Sequence, residues 1–160
     1  MSVKEEFLNV WEREFQTTLK VLKAYPMHRH DFKPHEKSKS ARDLAWTFVL
    51  EEKSVIDGAI AGQINFQSPP APATMKDVIA EYEKSHKDVV TKVKALSDED
   101  LNKTVKVPIG PKKMGDLRKI DLFWTAVMDM IHHRGQLSVY LRLTDGKVPS
   151  IYGPSADEPW

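Results

Sequence analysis

The sequence contains no cysteine, which excludes disulfide bonds, thiolate metal ligands and a cysteine nucleophile. It also lacks any apolar run approaching the roughly 18 residues that a membrane-spanning helix requires. The first six residues include two glutamates and no apolar stretch, so a secretory signal is not expected. These absences together predict a soluble cytoplasmic protein with no membrane partner.

An excess of either charge is also absent, because 24 lysines and arginines balance 23 aspartates and glutamates to give a net charge of +1. Proteins that bind nucleic acid usually carry a basic patch or stripe. The densest basic stretch, residues 112–119, is diluted by Asp116, so we expect no nucleic-acid partner. The 160 residues, of which 41% are hydrophobic and 29% charged, fit one domain spanning residues 1–160.

Apolar residues recur at spacings of three and four along four segments, which is the pattern of amphipathic helices. Loops containing proline or glycine separate these segments, and two of the loops are long enough to cross a bundle. The sequence therefore predicts an all-α four-helix bundle with long crossover connections. A short helical turn at Ser97 and an extended piece over residues 105–107 are expected before the last long helix. The long helices are predicted over about residues 4–24, 40–61, 75–96 and 117–144.

The fourth predicted helix is apolar almost all round, as a buried helix is, yet a polar line interrupts it. Asp129 and His133 lie one turn apart on one face, and Gln136 extends that side. His132 points about 100° away around the helix axis. A carboxylate and an imidazole one turn apart can chelate a divalent ion. They could also form a structural hydrogen bond, which the spacing alone favours, or a metal-free acid–base pair, or Asp129 could pair with a base such as Arg134.

The run Asp-Met-Ile-His-His-Arg-Gly-Gln-Leu at residues 129–137 resembles the last-helix signature of the DinB-like superfamily. That signature is a histidine, three further residues and then His-Arg-Gly-Gln. The tail at residues 148–158, the first loop at 31–34 and the second-helix start at 40–44 are also similar to this superfamily. The resemblance therefore covers most of the chain, with the His-Arg-Gly-Gln run as its most specific part.

The resemblance implies a four-helix bundle with a long crossover that usually forms a homodimer. It also implies a divalent metal ion, often zinc or nickel, held by one histidine of the second helix and two of the last. Characterised relatives include transferases and isomerases that depend on low-molecular-weight thiols. The resemblance thus places any catalytic site at the second and fourth helices.

Carried over residue by residue, the metal site of the family is altered in this chain. His133 matches the last family histidine, but Asp129 stands at the preceding ligand position. Thr47 stands where the second helix would supply its histidine, and a neutral hydroxyl is a weak ligand. Glu51, one turn further on, could replace it or could form an ordinary ion pair. The predicted metal ligands are therefore His133, Asp129 and Glu51, in a site that is weakened, changed or lost.

Two functions follow from this altered set. The first is a metal-free or altered-metal bundle that binds a small molecule in a pocket. The second is a divalent-metal-dependent thiol transferase or a hydrolase-like enzyme that uses the histidine of the last helix. Tryptophan side chains at apolar helical positions are core residues by default, but in a bundle they can line a cavity. The predicted pocket residues are Trp46, Thr47, Trp124, His132 and Gln136.

The remaining histidines are expected to be incidental. His28, His30 and His35 lie in the first loop, where nothing in the sequence fixes their geometry. His86 lies within the third predicted helix, and we expect it at the surface or edge of that helix. None of these side chains is therefore assigned a function from the sequence.

Overall fold

The structure of the protein is a computed structural model, which describes residues 2–64 and 69–160. The first helix, α1, spans Val3–Ala24, in agreement with its predicted extent. Ser2 and Glu5 cap it reciprocally: the Ser2 hydroxyl accepts from the Glu5 amide, and the Glu5 carboxylate accepts from the Ser2 amide. Its apolar stripe is buried, and a short 3₁₀ turn at Met27–Arg29 follows in the first loop.

The second long segment is helical over the predicted range but is not α-helical throughout. It consists of α2 (Ala41–Leu50), a π-helical stretch (Glu51–Asp57) and a short α3 (Gly58–Ala61). The Ser40 hydroxyl accepts a hydrogen bond from the Asp43 amide and caps its start, as the sequence predicted. Gly62 ends the segment with a φ of 78°, a left-handed conformation that glycine adopts without strain. The seven residues of π-helix were not predicted.

The third long helix, α4, spans Met75–Ala95 and is capped by Thr74. The predicted turn at Ser97 is the short helix α5, Asp98–Asn102. The extended piece predicted after it is the first half of a hairpin in which β1 (Thr104–Gly110) pairs antiparallel with β2 (Lys113–Arg118). The sequence analysis missed β2, because lysine, glycine and aspartate along that stretch indicate a loop.

The last helix, α6, spans Lys119–Leu143 and is the element around which the others pack. It contacts α1, α2, the π-helical stretch, α3 and α5, while α4 packs against α1 and α2. The fold is therefore mostly helical with one small two-stranded sheet. Within the described residues, no helix is long and apolar enough to cross a membrane. The largest fully buried apolar side chains of the core include Phe7, Trp11, Leu22, Tyr25, Phe48, Ile56, Tyr82, Phe123, Leu137 and Leu141.

Candidate functional site

The polar line predicted on the last helix is a connected set of side chains in the structure. His133 Nε2 lies 3.1 Å from Asp129 Oδ2, and His133 Nδ1 lies 2.8 Å from Gln136 Oε1. The Gln136 amide nitrogen in turn lies 3.1 Å from His132 Nε2. Both nitrogens of His133 thus face oxygen atoms, whereas a neutral imidazole can donate to only one of them. Asp129 and Gln136 therefore hold the ring in one orientation.

Glu51 of the π-helical stretch reaches this group from the second helical segment. Its carboxyl group hydrogen-bonds Asp129. Burial, the negative charge of Asp129 and that hydrogen bond raise the pKa of Glu51 to about 8, against a smaller opposing effect of the Lys39 ammonium. A pKa of about 8 keeps Glu51 mostly protonated at neutral pH. The structure brings the three predicted ligands Glu51, Asp129 and His133 into one group.

Lys39 is the member of this group that the sequence analysis missed. Its ammonium nitrogen donates a hydrogen bond to Thr47 Oγ1 over 3.0 Å. Thr47 itself lies 3.3 Å from the carbonyl oxygen of Asp43, one turn earlier. The Tyr140 hydroxyl donates to the Lys39 carbonyl over 3.2 Å and ties the loop to α6. In the sequence, the only sign of this role was the position of Lys39 next to the Ser40 helix cap.

Beside these residues lies a cleft of about 330 Å³, which we call the His133 cleft. Of the predicted pocket residues, Gln136 lines it, Thr47 bonds the lining residue Lys39, and His132 is exposed next to Gln136. Its lining residues are Pro34, Ser38, Lys39, Leu44, His133, Gln136 and Tyr140.

The two tryptophans predicted for the pocket lie elsewhere. The Trp46 indole is buried and donates a hydrogen bond to the carbonyl of Pro69 over 2.8 Å. Trp124 packs edge-on against Phe7, with 5.2 Å between ring centroids. It lines a separate cleft of about 510 Å³ that also contains Arg118. Neither tryptophan is among the side chains that line the His133 cleft.

The side chains near His133 do not fit the three-donor metal site that the resemblance implies. Thr47 is bonded to an ammonium group, and Glu51 shares a hydrogen bond with Asp129. Across residues 2–64 and 69–160, no group of three or more histidine, aspartate or glutamate side chains is placed to hold a metal ion. One imidazole and two mutually bonded carboxyl groups, with a fixed positive charge close by, form a hydrogen-bonded network.

Arg134, next to His133 in the signature, points in another direction. It is 1% exposed and does not pair with Asp129, so that alternative was wrong. Its guanidinium donates to the Glu14 carboxylate over 2.8 Å and to the Tyr152 hydroxyl over 2.5 Å. It also donates to Thr18 Oγ1 over 3.3 Å. Arg134 therefore fastens α6 to α1 and to the C-terminal tail.

A second buried polar cluster surrounds His86, which is 4% exposed and was wrongly expected at the surface. Its Nδ1 lies 2.7 Å from Glu52 Oε1, and its Nε2 lies 3.1 Å from Glu12 Oε2. The imidazole stacks flat on Phe15, with 3.6 Å between the ring centroids. Burial raises the pKa of Glu52, and the hydrogen bond from His86 opposes that rise. The cluster joins α1, the π-helical stretch and α4 across the core.

Comparison with known proteins agrees with this architecture. A crystal structure of a DinB-like protein from Bacillus cereus ATCC 10987 shares 22% identity and a TM-score of 0.76, covering 92% of this chain and 97% of that one. The DinB-like protein YjoA from Bacillus subtilis shares 18% identity and a TM-score of 0.74, covering 91% and 97%. At these identities the likeness shows the fold alone. No curated protein matches the chain. The sequence profile of the DinB family matches residues 1–159, and the chain belongs to the DinB family.

Proposed function

We propose that this DinB-family protein is a four-helix bundle with long crossover connections that binds a small organic molecule in the His133 cleft without using a divalent metal ion. The observation that carries the proposal is the make-up of the cleft. Pro34, Leu44 and Tyr140 supply apolar surface, whereas Lys39 and Gln136 supply hydrogen-bonding groups. Ligand sites in proteins combine apolar walls with a few polar groups in this way.

The size and polarity of the cleft define the kind of ligand. A volume of about 330 Å³ lies at the small end of the range for ligand sites, about 300–1,000 Å³. Lys39 retains donor capacity beyond its bond to Thr47, because an ammonium group has three N–H donors. We therefore propose a ligand with a small apolar body and one carboxylate or carbonyl end.

A fragment screen by ligand-observed NMR tests this proposal with one blocking variant and one control. Ser38→Trp places an indole within the cleft, whereas Lys37→Trp places the same indole at the neighbouring exposed position. Carboxylate-bearing fragments are expected to bind the natural protein and Lys37→Trp but not Ser38→Trp. If fragments bind all three proteins equally, the ligand site is elsewhere.

The second candidate function is a divalent-metal-dependent thiol transferase or hydrolase-like enzyme. It is favoured by the retained His133, whose Nε2 lies 3.1 Å from a carboxylate oxygen of Asp129. Mass spectrometry of protein purified without chelator tests it. About one zinc or nickel ion per chain, lost in His133→Ala but retained when His28 and His30 are replaced, would establish a metal site and justify a screen for thiol-transfer or hydrolase activity. The absence of such an ion, even after zinc or nickel is added, would exclude it.

We also propose that the protein is a cytoplasmic homodimer. The support is a set of exposed apolar side chains on α6: Met128, Val139 and Leu143 are 64%, 57% and 52% exposed. Apolar surface of this kind is often covered by a second subunit. Sedimentation of the natural protein and of Val139→Lys tests the assembly, because a lysine at the interface should produce monomers. A monomeric natural protein would overturn the homodimer, and two equally stable dimers would show that the interface lies away from Val139.

A further inference from the structure

The Lys39 ammonium reaches the position where the family resemblance places a metal-binding imidazole. Thr47 stands at that position, and its oxygen lies 3.0 Å from Lys39 Nζ. Thr47 Oγ1 also lies 3.3 Å from the Asp43 carbonyl oxygen. When the threonine hydroxyl donates to that carbonyl, its lone pairs remain free to accept from the ammonium. A positive charge is therefore held where a metal ligand would be needed.

The backbone around Lys39 fixes the approach of its side chain. Tyr140 bonds the Lys39 carbonyl, and Ser40, the next residue, caps α2 through its hydroxyl. The Ala41 amide also donates to the carbonyl of Phe32 over 2.9 Å, which closes the first loop onto the helix start. Contacts from α6, from α2 and from the loop thus hold the root of the lysine, and only its side chain retains rotational freedom.

The charges near Lys39 complete the arrangement. The acidic groups are Asp129 of α6, which bonds His133, and Glu51 of the π-helical stretch, and Lys39 lines the same cleft as His133. In a metalloprotein a divalent ion would supply the positive charge between such groups. A divalent ion and an ammonium group repel each other, so both are disfavoured in this small space.

We infer that Lys39 is a built-in cation that takes the place of the divalent metal ion at the Thr47, Glu51, Asp129 and His133 group and so keeps metal out. The inference deepens the metal-free function proposed above and rests on it. Lysine is suited to this role, because its compact ammonium on a flexible stem carries three donors. The protein retains the fold of the family while a lysine side chain supplies a positive charge that no chelator can remove.

The test is a zinc titration of five proteins, each with His28 and His30 replaced by glutamine to remove adventitious binding in the first loop. Three of them are the parent, Lys39→Met and its control Lys37→Met. The other two carry Thr47→His together with Asp129→His, one with Lys39 and one with Lys39→Met. Competition with a chromophoric chelator gives the affinity, and the NMR signals of the His133 imidazole show whether the ion binds there. Circular dichroism confirms that each protein is folded.

We expect no stoichiometric zinc in the parent or in Lys37→Met, and at least tenfold tighter binding in Lys39→Met. In the protein with Thr47→His and Asp129→His, the addition of Lys39→Met should allow one zinc ion per chain with a shifted His133 signal. The same pair with Lys39 retained should bind zinc at least tenfold more weakly. Equal zinc affinity with and without Lys39 would overturn the inference, as would tight binding at His133 in the parent. The fragment screen measures ligand binding in the cleft and does not depend on zinc. Failure of the proposed ligand site can therefore be told apart from failure of the Lys39 inference.

Discussion

Replacement of Arg134 by methionine should be among the most damaging single changes in the protein. Arg134 and Glu14 are 1% and 4% exposed and form an ion pair with an N–O distance of 2.8 Å. Removal of Arg134 leaves the buried Glu14 carboxylate with only the Tyr152 hydroxyl and the exposed Arg13 as partners, and breaking a buried pair costs about 3–5 kcal/mol. At about 2–4 °C per kcal/mol for a domain of this size, Arg134→Met should lower the melting temperature by about 6–20 °C. Urea unfolding followed by circular dichroism measures the free energy of unfolding directly.

Arg142→Met is the matched control, because Arg142 lies on the same helix and pairs with Asp157 at the surface. An exposed pair contributes about 0–1 kcal/mol, so this variant should stay close to the natural protein. The double variant Arg134→Met with Glu14→Leu should lose much less than the sum of the two single losses, because no charge is then left unpaired. A loss below about 1 kcal/mol for Arg134→Met would refute the view that this arginine fastens α6 to α1.

Three further predictions concern the second helical segment and its contacts. The pKa of Glu51 is about 8 in the folded protein, above its ordinary value of 4.5. The free energy of unfolding should therefore fall as the pH rises from the lower of these values to the higher. Urea titrations should show a smaller fall for Glu51→Gln than for the natural protein. His86→Leu should lower the free energy of unfolding by about 1–3 kcal/mol, because it leaves the fully buried Glu52 without its 2.7 Å hydrogen-bond partner, and an unchanged free energy would contradict this. Gly62→Ala should lower the melting temperature through a cost of about 1 kcal/mol, since its φ is 78°, and an unchanged temperature would refute the strain.

The sequence predicted the long helices well because the information for them is local. A stripe of apolar residues with a spacing of three and four specifies a helix, and Ser40 and Thr74 cap their helices through hydroxyl groups visible in the sequence. The relation between Asp129 and His133 was equally accessible, because one helical turn fixes it. These predictions depend on neighbours within a few residues, which is the range over which sequence patterns are informative.

The features that were missed depend on contacts between distant segments. Lys39 meets Thr47 only because the first loop folds back on α2, and His86 meets Glu52 only across the packed core. The π-helical stretch, Glu51–Asp57, carries no composition that distinguishes it from α-helix. Its wider turn places Glu52 wholly inside the protein, where α-helical periodicity alone would not have predicted a carboxylate.

The His-Arg-Gly-Gln signature therefore combines two roles that can change independently. Arg134 is buried and bonded to α1 and to the tail, so its replacement would destabilise the fold whatever chemistry the site performs. His133 lines a cleft and bonds Gln136 and Asp129. A change at Thr47, where the resemblance implies a family histidine, removes none of the contacts that Arg134 makes, so it can leave the fold intact. As we infer, Lys39 supplies the positive charge at this site, so the signature can persist in a chain whose donor set does not fit a metal ion.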